Sequence, residues 1–152
     1  MSSLSQEKTV PFSAAQVYDL VIDIPSYPEF LPWCTDSCVF AKKETEFKAD
    51  LTVGFDFIQE TFTSLVTFKT NESVTATAIG DGPFKELVNK WVFTSIDESS
   101  CTLHFTLDYT LKSGLLGMAL SGFLDKAFDK MMTAFEQRAH EVYGHATQQK
   151  AD

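Results

Sequence analysis

An α+β fold, an antiparallel sheet with one long helix laid across it, is predicted by two patterns in this chain. From Leu115 to Tyr143, residues Leu116, Leu120, Leu124, Ala127, Met131, Phe135, Ala139 and Val142 recur three or four positions apart, which places them on one stripe of a single helix. Upstream, segment after segment alternates apolar and polar residues with period two, as in strands that are wet on one face and dry on the other. Both inward faces are rich in Phe, Leu, Met and Trp and carry almost no ionisable group. Such faces make either a solid core or the lining of an apolar pocket, and the residue pattern alone leaves both open.

Taken in order, a first strand ends at Thr9 and Val10, because Pro11 has no N–H for a ladder. Ser13 is the expected N-cap of a helix from Ala14 to about Asp23, with Val17, Leu20, Val21 and Ile24 as its apolar stripe and Pro25 as its stop. Tyr27 to Cys34, with Pro28 and Pro32 inside it, suits a short helical turn pinned to the body by Phe30 and Trp33. Strands are then expected over Cys38 to Lys42 and on the alternation Phe47, Ala49, Leu51, Val53. In the run from Phe55 to Phe68 the phase slips from odd to even positions, which a bulge near Gln59 or Glu60 would produce.

Asn71 and Glu72 make a turn into a strand with small inward residues, Val74, Ala76 and Ala78. Gly80-Asp81-Gly82-Pro83 is the next turn; it lacks the basic residue and helix start of a phosphate loop. Two clear strands follow: Leu87, Asn89, Trp91 and Phe93 face inward on one, and Leu103, Phe105, Leu107, Tyr109 and Leu111 on the other, joined by a hairpin at Asp97 to Ser100. Lys112-Ser113-Gly114 leads into the long helix, and Gly144 with its polar tail marks the expected end.

At 152 residues the chain suits a single domain, 1–152 with a core of about 9–144. Its net charge of −9 repels phosphate backbones, so no nucleic-acid partner is expected. Cys34, Cys38 and Cys101 make no disulfide framework, and without a visible secretory or organelle-targeting segment a reducing compartment is expected. The longest uncharged run, Ser113 to Leu124, has 12 residues, against about 20 for a bilayer span.

Catalytic chemistry finds few candidates. His104 falls on an outward strand phase, and His140 and His145 lie near the polar end of the last helix, so all three read as solvated. The cysteine spacing fits neither a zinc nor a redox pair, and no metal is expected. Glu60, beside the expected bulge, is the one carboxylate a bend could turn inward as an acid or base, although a solvated strand residue is the simpler reading. Asn89 is different: a buried amide needs partners, and a polar head group would supply one. Between Ser113 and Leu124 there are too many apolar residues for one stripe, so Leu115, Met118 and Ala119 are assigned to an outward membrane or dimer contact.

Val10-Pro11-Phe12-Ser13-Ala14, Tyr27-Pro28-Glu29-Phe30-Leu31-Pro32-Trp33-Cys34, Gly82-Pro83-Phe84 with Leu87, Trp91 and Phe93, and Ala134-Phe135-Glu136-Gln137-Arg138-Ala139 together resemble the coenzyme-Q-binding START-like family. Its members are mitochondrial coenzyme-Q-binding proteins and bacterial relatives, some described as ribosome-association toxins. The match runs from about Thr9 to Gly144, with the motifs in order.

This resemblance implies a helix-grip fold (START-like or Bet v-like), a curved antiparallel sheet wrapped around the long C-terminal helix. It also implies an internal hydrophobic tunnel for ubiquinone, a carrier role in coenzyme Q biosynthesis and delivery to the respiratory chain, and no reaction or catalytic cofactor. On that reading Phe30, Trp33, Leu51, Val53, Phe55, Phe57 and Phe62 contact the ligand from the first half of the chain. Asn89, Trp91, Phe93, Phe105, Leu107 and Tyr109 do so from the last strands, with Asn89 or a hydroxyl near Tyr109 orienting the quinone carbonyls. Leu116, Leu120, Phe123, Leu124, Phe128 and Met131 do so from the helix. The implied setting is the matrix side of the mitochondrial inner membrane, with peripheral membrane contact and a possible homodimer; a bacterial cytoplasm is the alternative. Three rivals stand beside the carrier: a toxin on the large ribosomal subunit, an enzyme using Glu60 on an apolar substrate, and a solid domain that docks through its last helix.

Overall fold

The alternating segments pair with their neighbours in chain order, and the first strand returns to close the series. The computed structural model describes residues 2–55, 58–112 and 115–151, with backbone alone for 55, 58, 115–117, 119 and 145–151. Among the described residues the strands are β1 (Ser2–Val10), β2 (Cys34–Phe40), β3 (Glu46–Phe55), β4 (Ile58–Lys69), β5 (Ser73–Ile79), β6 (Phe84–Asp97) and β7 (Ser100–Leu111). They form one antiparallel sheet in the order β1-β7-β6-β5-β4-β3-β2. Two helices, α1 (Ala14–Ile22) and α2 (Leu115–Ala151), and a 3-10 turn (Ile24–Glu29) complete the chain. This is the helix-grip arrangement: a curved sheet closed by a long C-terminal helix.

Local chemistry accounts for the connections. Ser13 caps α1 in a full capping box: its Oγ accepts from the Gln16 N–H at 3.1 Å, and the Gln16 side chain accepts from the Ser13 N–H at 3.0 Å. The two prolines Pro25 and Pro28 sit inside the 3-10 turn, which tolerates their fixed φ over so short a piece. Asn71, at φ 62°, and Gly80, at φ 76°, take the left-handed conformations that turn β4 into β5 and β5 out towards β6.

Four expectations are corrected. The phase change after Phe55 is a chain reversal, since β3 and β4 pair with Phe55 opposite Ile58. An antiparallel pairing in that register sets odd positions of β3 opposite even positions of β4, so no inserted residue near Gln59 or Glu60 is needed. A register shift does occur elsewhere, between Phe84 and Glu86 on β6. The second strand is Cys34–Phe40 and ends before Lys42, because Ala41 at φ 53° breaks the extended backbone. The last helix continues through Gly144 to Ala151, since helix hydrogen bonding lets a glycine stay within a long helix at modest cost. Its inward stripe also differs: Phe128 and Met132 are buried, whereas Val142 is 45% exposed. Drift of a 3.6-residue helix over so many turns rotates Val142 off the sheet.

One end of the space between sheet and helices is filled by rings. Trp91 stacks on Phe105 with centroids 4.3 Å apart and meets Phe135 edge-on at 5.1 Å, and Tyr18 of α1 meets Phe93 edge-on at 6.0 Å. Each of these side chains is at most 6% exposed, and burying such a ring contributes about 1.5–3 kcal/mol. Phe12 packs edge-on against His140 at 4.9 Å, so that exposed imidazole covers the core's rim.

Candidate functional site

At the other end the sheet and α2 enclose a cavity of about 110 Å³. Its floor comes from successive strands: Leu51 and Val53 on β3, Phe62 and Ser64 on β4, Ala76 on β5, Leu87 and Asn89 on β6, and Phe105 and Leu107 on β7. Its roof is α2, through Leu120, Phe123, Leu124, Ala127, Phe128 and Met131. Tyr27, Leu31, Trp33 and Cys34 close one side, and Pro83 with Phe84 another. The space exists because the central floor residues are small. Ala76 and Ser64 stand on the floor where larger side chains would project towards the helix, and Ala49, paired with Ser64, is small and fully buried beside them.

The structure brings together much of the predicted set: Trp33, Leu51, Val53, Phe62, Asn89, Phe105, Leu107, Leu120, Phe123, Leu124, Phe128 and Met131 all line the cavity. Four predicted residues lie elsewhere. Trp91 and Phe93 share the inward phase with Asn89 but belong to the ring-filled end, where they stack on each other with centroids 6.4 Å apart. Phe30 packs edge-on to Phe135 at 5.1 Å, with the Arg138 guanidinium 5.1 Å above its ring, and faces an outer groove. The Tyr109 hydroxyl donates to Asp125 Oδ1 at 3.3 Å and lies 3.3 Å from Ser121 Oγ, so it clasps β7 to α2 and is not turned to the cavity. Phe57 lies outside the described residues, as do the side chains of Phe55, Leu116, Leu115 and Ala119. Met118, assigned outward, is 75% exposed.

Several lining residues fall outside the predicted set. Ser64 and Ala76 sit on the inward phase of their strands, so alternation alone could have named them. Phe84 could not be found that way. The register shift beside it puts an even-numbered residue on the same face as Leu87, and its ring meets Phe62 edge-on at 5.1 Å.

Polar groups are few here. The only ionisable groups among the described lining residues are the Tyr27 phenol and the Cys34 thiol. Tyr27 donates to the Val21 carbonyl at 2.5 Å, and burial keeps it protonated. Burial, with the nearby Asp36 carboxylate adding to it, pushes the Cys34 thiol up to about 11, against a partial offset from its contact with the Asp36 carbonyl. A thiol so raised is a poor nucleophile near neutrality. Glu60 stands opposite Val53 and shares its face, half-buried, but does not line the cavity. Among the described residues no acid–base pair is therefore aimed into the space. What does face it are two orphans: Ser64 Oγ and Asn89 Oδ1 are buried without a hydrogen-bond partner. Among the described residues no cluster of His, Cys, Asp or Glu is arranged to hold a metal ion, and no helix is long and apolar enough to cross a membrane.

The family profile described as polyketide cyclase/dehydrase and lipid transport matches residues 10–136. Ribosome association toxin RatA of Vibrio cholerae is 36% identical over 144 residues, covering 95% of this chain and 99% of that protein. The mitochondrial coenzyme Q-binding protein COQ10 of Dictyostelium discoideum is 32% identical over 140 residues, covering 90% of this chain and 68% of that protein. Among solved structures, the Caulobacter crescentus protein CC1736 superposes with a TM-score of 0.75 at 30% identity, covering 95% of this chain and 99% of that one. The Streptomyces aromatase/cyclase Zhui superposes with a TM-score of 0.81 over 93% of this chain and 95% of its own, and at 14% identity that likeness is one of fold alone.

Proposed function

Given that the chain belongs to the polyketide cyclase/dehydrase and lipid transport family, we propose that it binds ubiquinone in the cavity beneath α2 and acts as a carrier of that lipid, supporting its biosynthesis and its delivery to the respiratory chain. The observation that carries this reading is the composition of the cavity: an almost wholly hydrocarbon lining with two unpartnered polar atoms. Apolar pockets with a few placed polar groups suit ligands that are mostly hydrocarbon with a small polar head. The COQ10 relatives bear the name of that ligand. Each buried CH₂-sized group of the tail gains about 0.8 kcal/mol, so affinity needs no charge. On this reading the head group takes the cavity of about 110 Å³ and the tail leaves along α2, whose residues form the roof. The start of that helix, where Met118 is exposed, is the proposed point of peripheral membrane contact. The matrix face of the mitochondrial inner membrane is the proposed site, with a bacterial cytoplasm as the alternative.

The test is to purify the folded protein from cells, extract it with organic solvent, and record the ultraviolet spectrum and mass of the extract. A quinone in the extract is the expected result. A clean extract from protein that also fails to bind added ubiquinone would end the carrier reading. A second reading is favoured by relatives named ribosome association toxins, matched over nearly their full length at 36% identity. On that reading the chain co-sediments with ribosomal subunits in a sucrose gradient. The charge of −9 works against contact with the RNA backbone, so any such binding should weaken little with added salt.

A further inference from the structure

The two orphaned atoms have a common cause in the strand register. Ser64 lies between Ala49 on β3 and Ala78 on β5, and Asn89 between Ala76 on β5 and Leu107 on β7. None of these cross-strand neighbours has a side-chain donor or acceptor, so nothing beside either group on the sheet can satisfy it. Ser64 is 1% exposed, and bulk water does not reach it either. A buried polar group without a partner loses its water hydrogen bonds and gains none in return, so it destabilises the fold. Two on one cavity wall, in a domain that otherwise satisfies its buried side chains among the described residues, point to a partner that arrives with a ligand.

The register also sets their spacing. Ser64 and Asn89 are two strands apart and offset by two residues, which puts their Cα atoms about 12 Å apart on the sheet. The small side chains of Ala76 and Ala78 lie between them, leaving a flat, low floor. A single hydroxyl, ketone or carboxyl group can reach one of the two positions and leave the other unpaired. A planar ring bearing oxygens on opposite edges can lie over the alanines and reach both.

Resting on the carrier reading above, we propose that Ser64 and Asn89 together form a two-point hydrogen-bonding site for a flat ring with oxygens on opposite edges. The ligand class is a quinone or its quinol. Ser64 can donate or accept; a quinol hydroxyl donates to Asn89 Oδ1 as it stands, and a quinone carbonyl accepts from Asn89 Nδ2 once the amide is turned over. Head-group specificity lies in this pair, and the hydrocarbon wall supplies affinity.

The experiment compares two probes by titration calorimetry on the full chain: a ubiquinone with a short saturated tail, and an alkylbenzene with the same tail and no oxygens. Ser64→Ala and Asn89→Leu each should weaken the quinone about 10-fold while changing the alkylbenzene by about twofold or less. The ligand-free Ser64→Ala protein should unfold at the same or a higher temperature than the parent, because its change removes an unpaired buried hydroxyl. That opposition, equal or greater stability with weaker quinone binding, is not expected of a merely structural serine. Quinone affinity unchanged in Ser64→Ala, or falling in parallel with alkylbenzene affinity, overturns the two-point site and leaves the apolar carrier intact. Failure of the parent to bind either probe overturns the carrier reading itself. Should Asn89→Leu not fold, Ser64→Ala decides alone.

Discussion

The two ends of the space between sheet and helices are built from the same kinds of residue, yet one is solid and the other hollow. At the solid end Trp91, Phe93, Phe105 and Phe135 contact one another ring to ring, with α1 adding Tyr18. At the hollow end the sheet carries Ser64 and Ala76, with Ala49 and Ala78 paired beside Ser64, and space remains between them and α2. Phe105 is the shared wall: it stacks on Trp91 at 4.3 Å on one side and on Phe128 at 4.9 Å on the other, and both it and Phe128 line the cavity. Hydrophobicity therefore does not distinguish a core from a pocket in this protein. Side-chain volume, row by row, does.

The largest effect expected from that contrast is at the solid end. Trp91→Ala should cost about 3–5 kcal/mol, since the cavity it leaves is fenced by rings that cannot collapse into it. Urea unfolding measures this, and a cost near 1 kcal/mol would mean that the aromatic cluster is loosely packed after all. At the hollow end the same kind of volume change runs in the other direction. Ala76→Leu should fill existing space, leaving the melting temperature near that of the parent and reducing quinone binding more than about 10-fold, whereas overpacking a filled core costs about 1–3 kcal/mol. A large drop in melting temperature would show that the hollow end is not hollow.

The smallest expected effect concerns Cys34 on the cavity wall. Its thiol is raised from an ordinary 9.0 to about 11, so the folded state holds its proton more tightly than the unfolded state. The corresponding stability is fully present below pH 9 and is lost as pH rises from 9 to about 11. Stability measured across that window should therefore decline in the parent and decline less steeply in Cys34→Ala. Equal slopes would mean that the thiol is better solvated than its place on the wall implies.

Much of this architecture was legible before any coordinates. The clean alternations of β6 and β7 and the Ser13 cap of α1 are local signals, and the structure reproduces them nearly residue for residue. Asn89 was also identifiable, because a polar residue on an otherwise apolar phase stands out. Two of the expected contacts fall outside the cavity for one reason. Trp91 and Phe93 follow Asn89 by two and four positions on the same face, and period two cannot say where along a strand filling ends and space begins. Alternation puts Tyr109 on the inward phase, but its hydroxyl is taken by Ser121 and Asp125, sixteen residues away at most in sequence and on the facing helix.

By itself, then, the sequence determined which faces are dry, where the chain turns, and that one long helix must cover the sheet, since periodicity and turn chemistry act over a few residues. The cavity, the pairing that strands Ser64 and Asn89 beside alanines, and the shift that turns Phe84 inward were decided only in three dimensions. An empty volume is a difference between what a sheet and a helix enclose and what their side chains fill. That difference depends on which residues of distant segments end up opposite one another, and no single segment carries it.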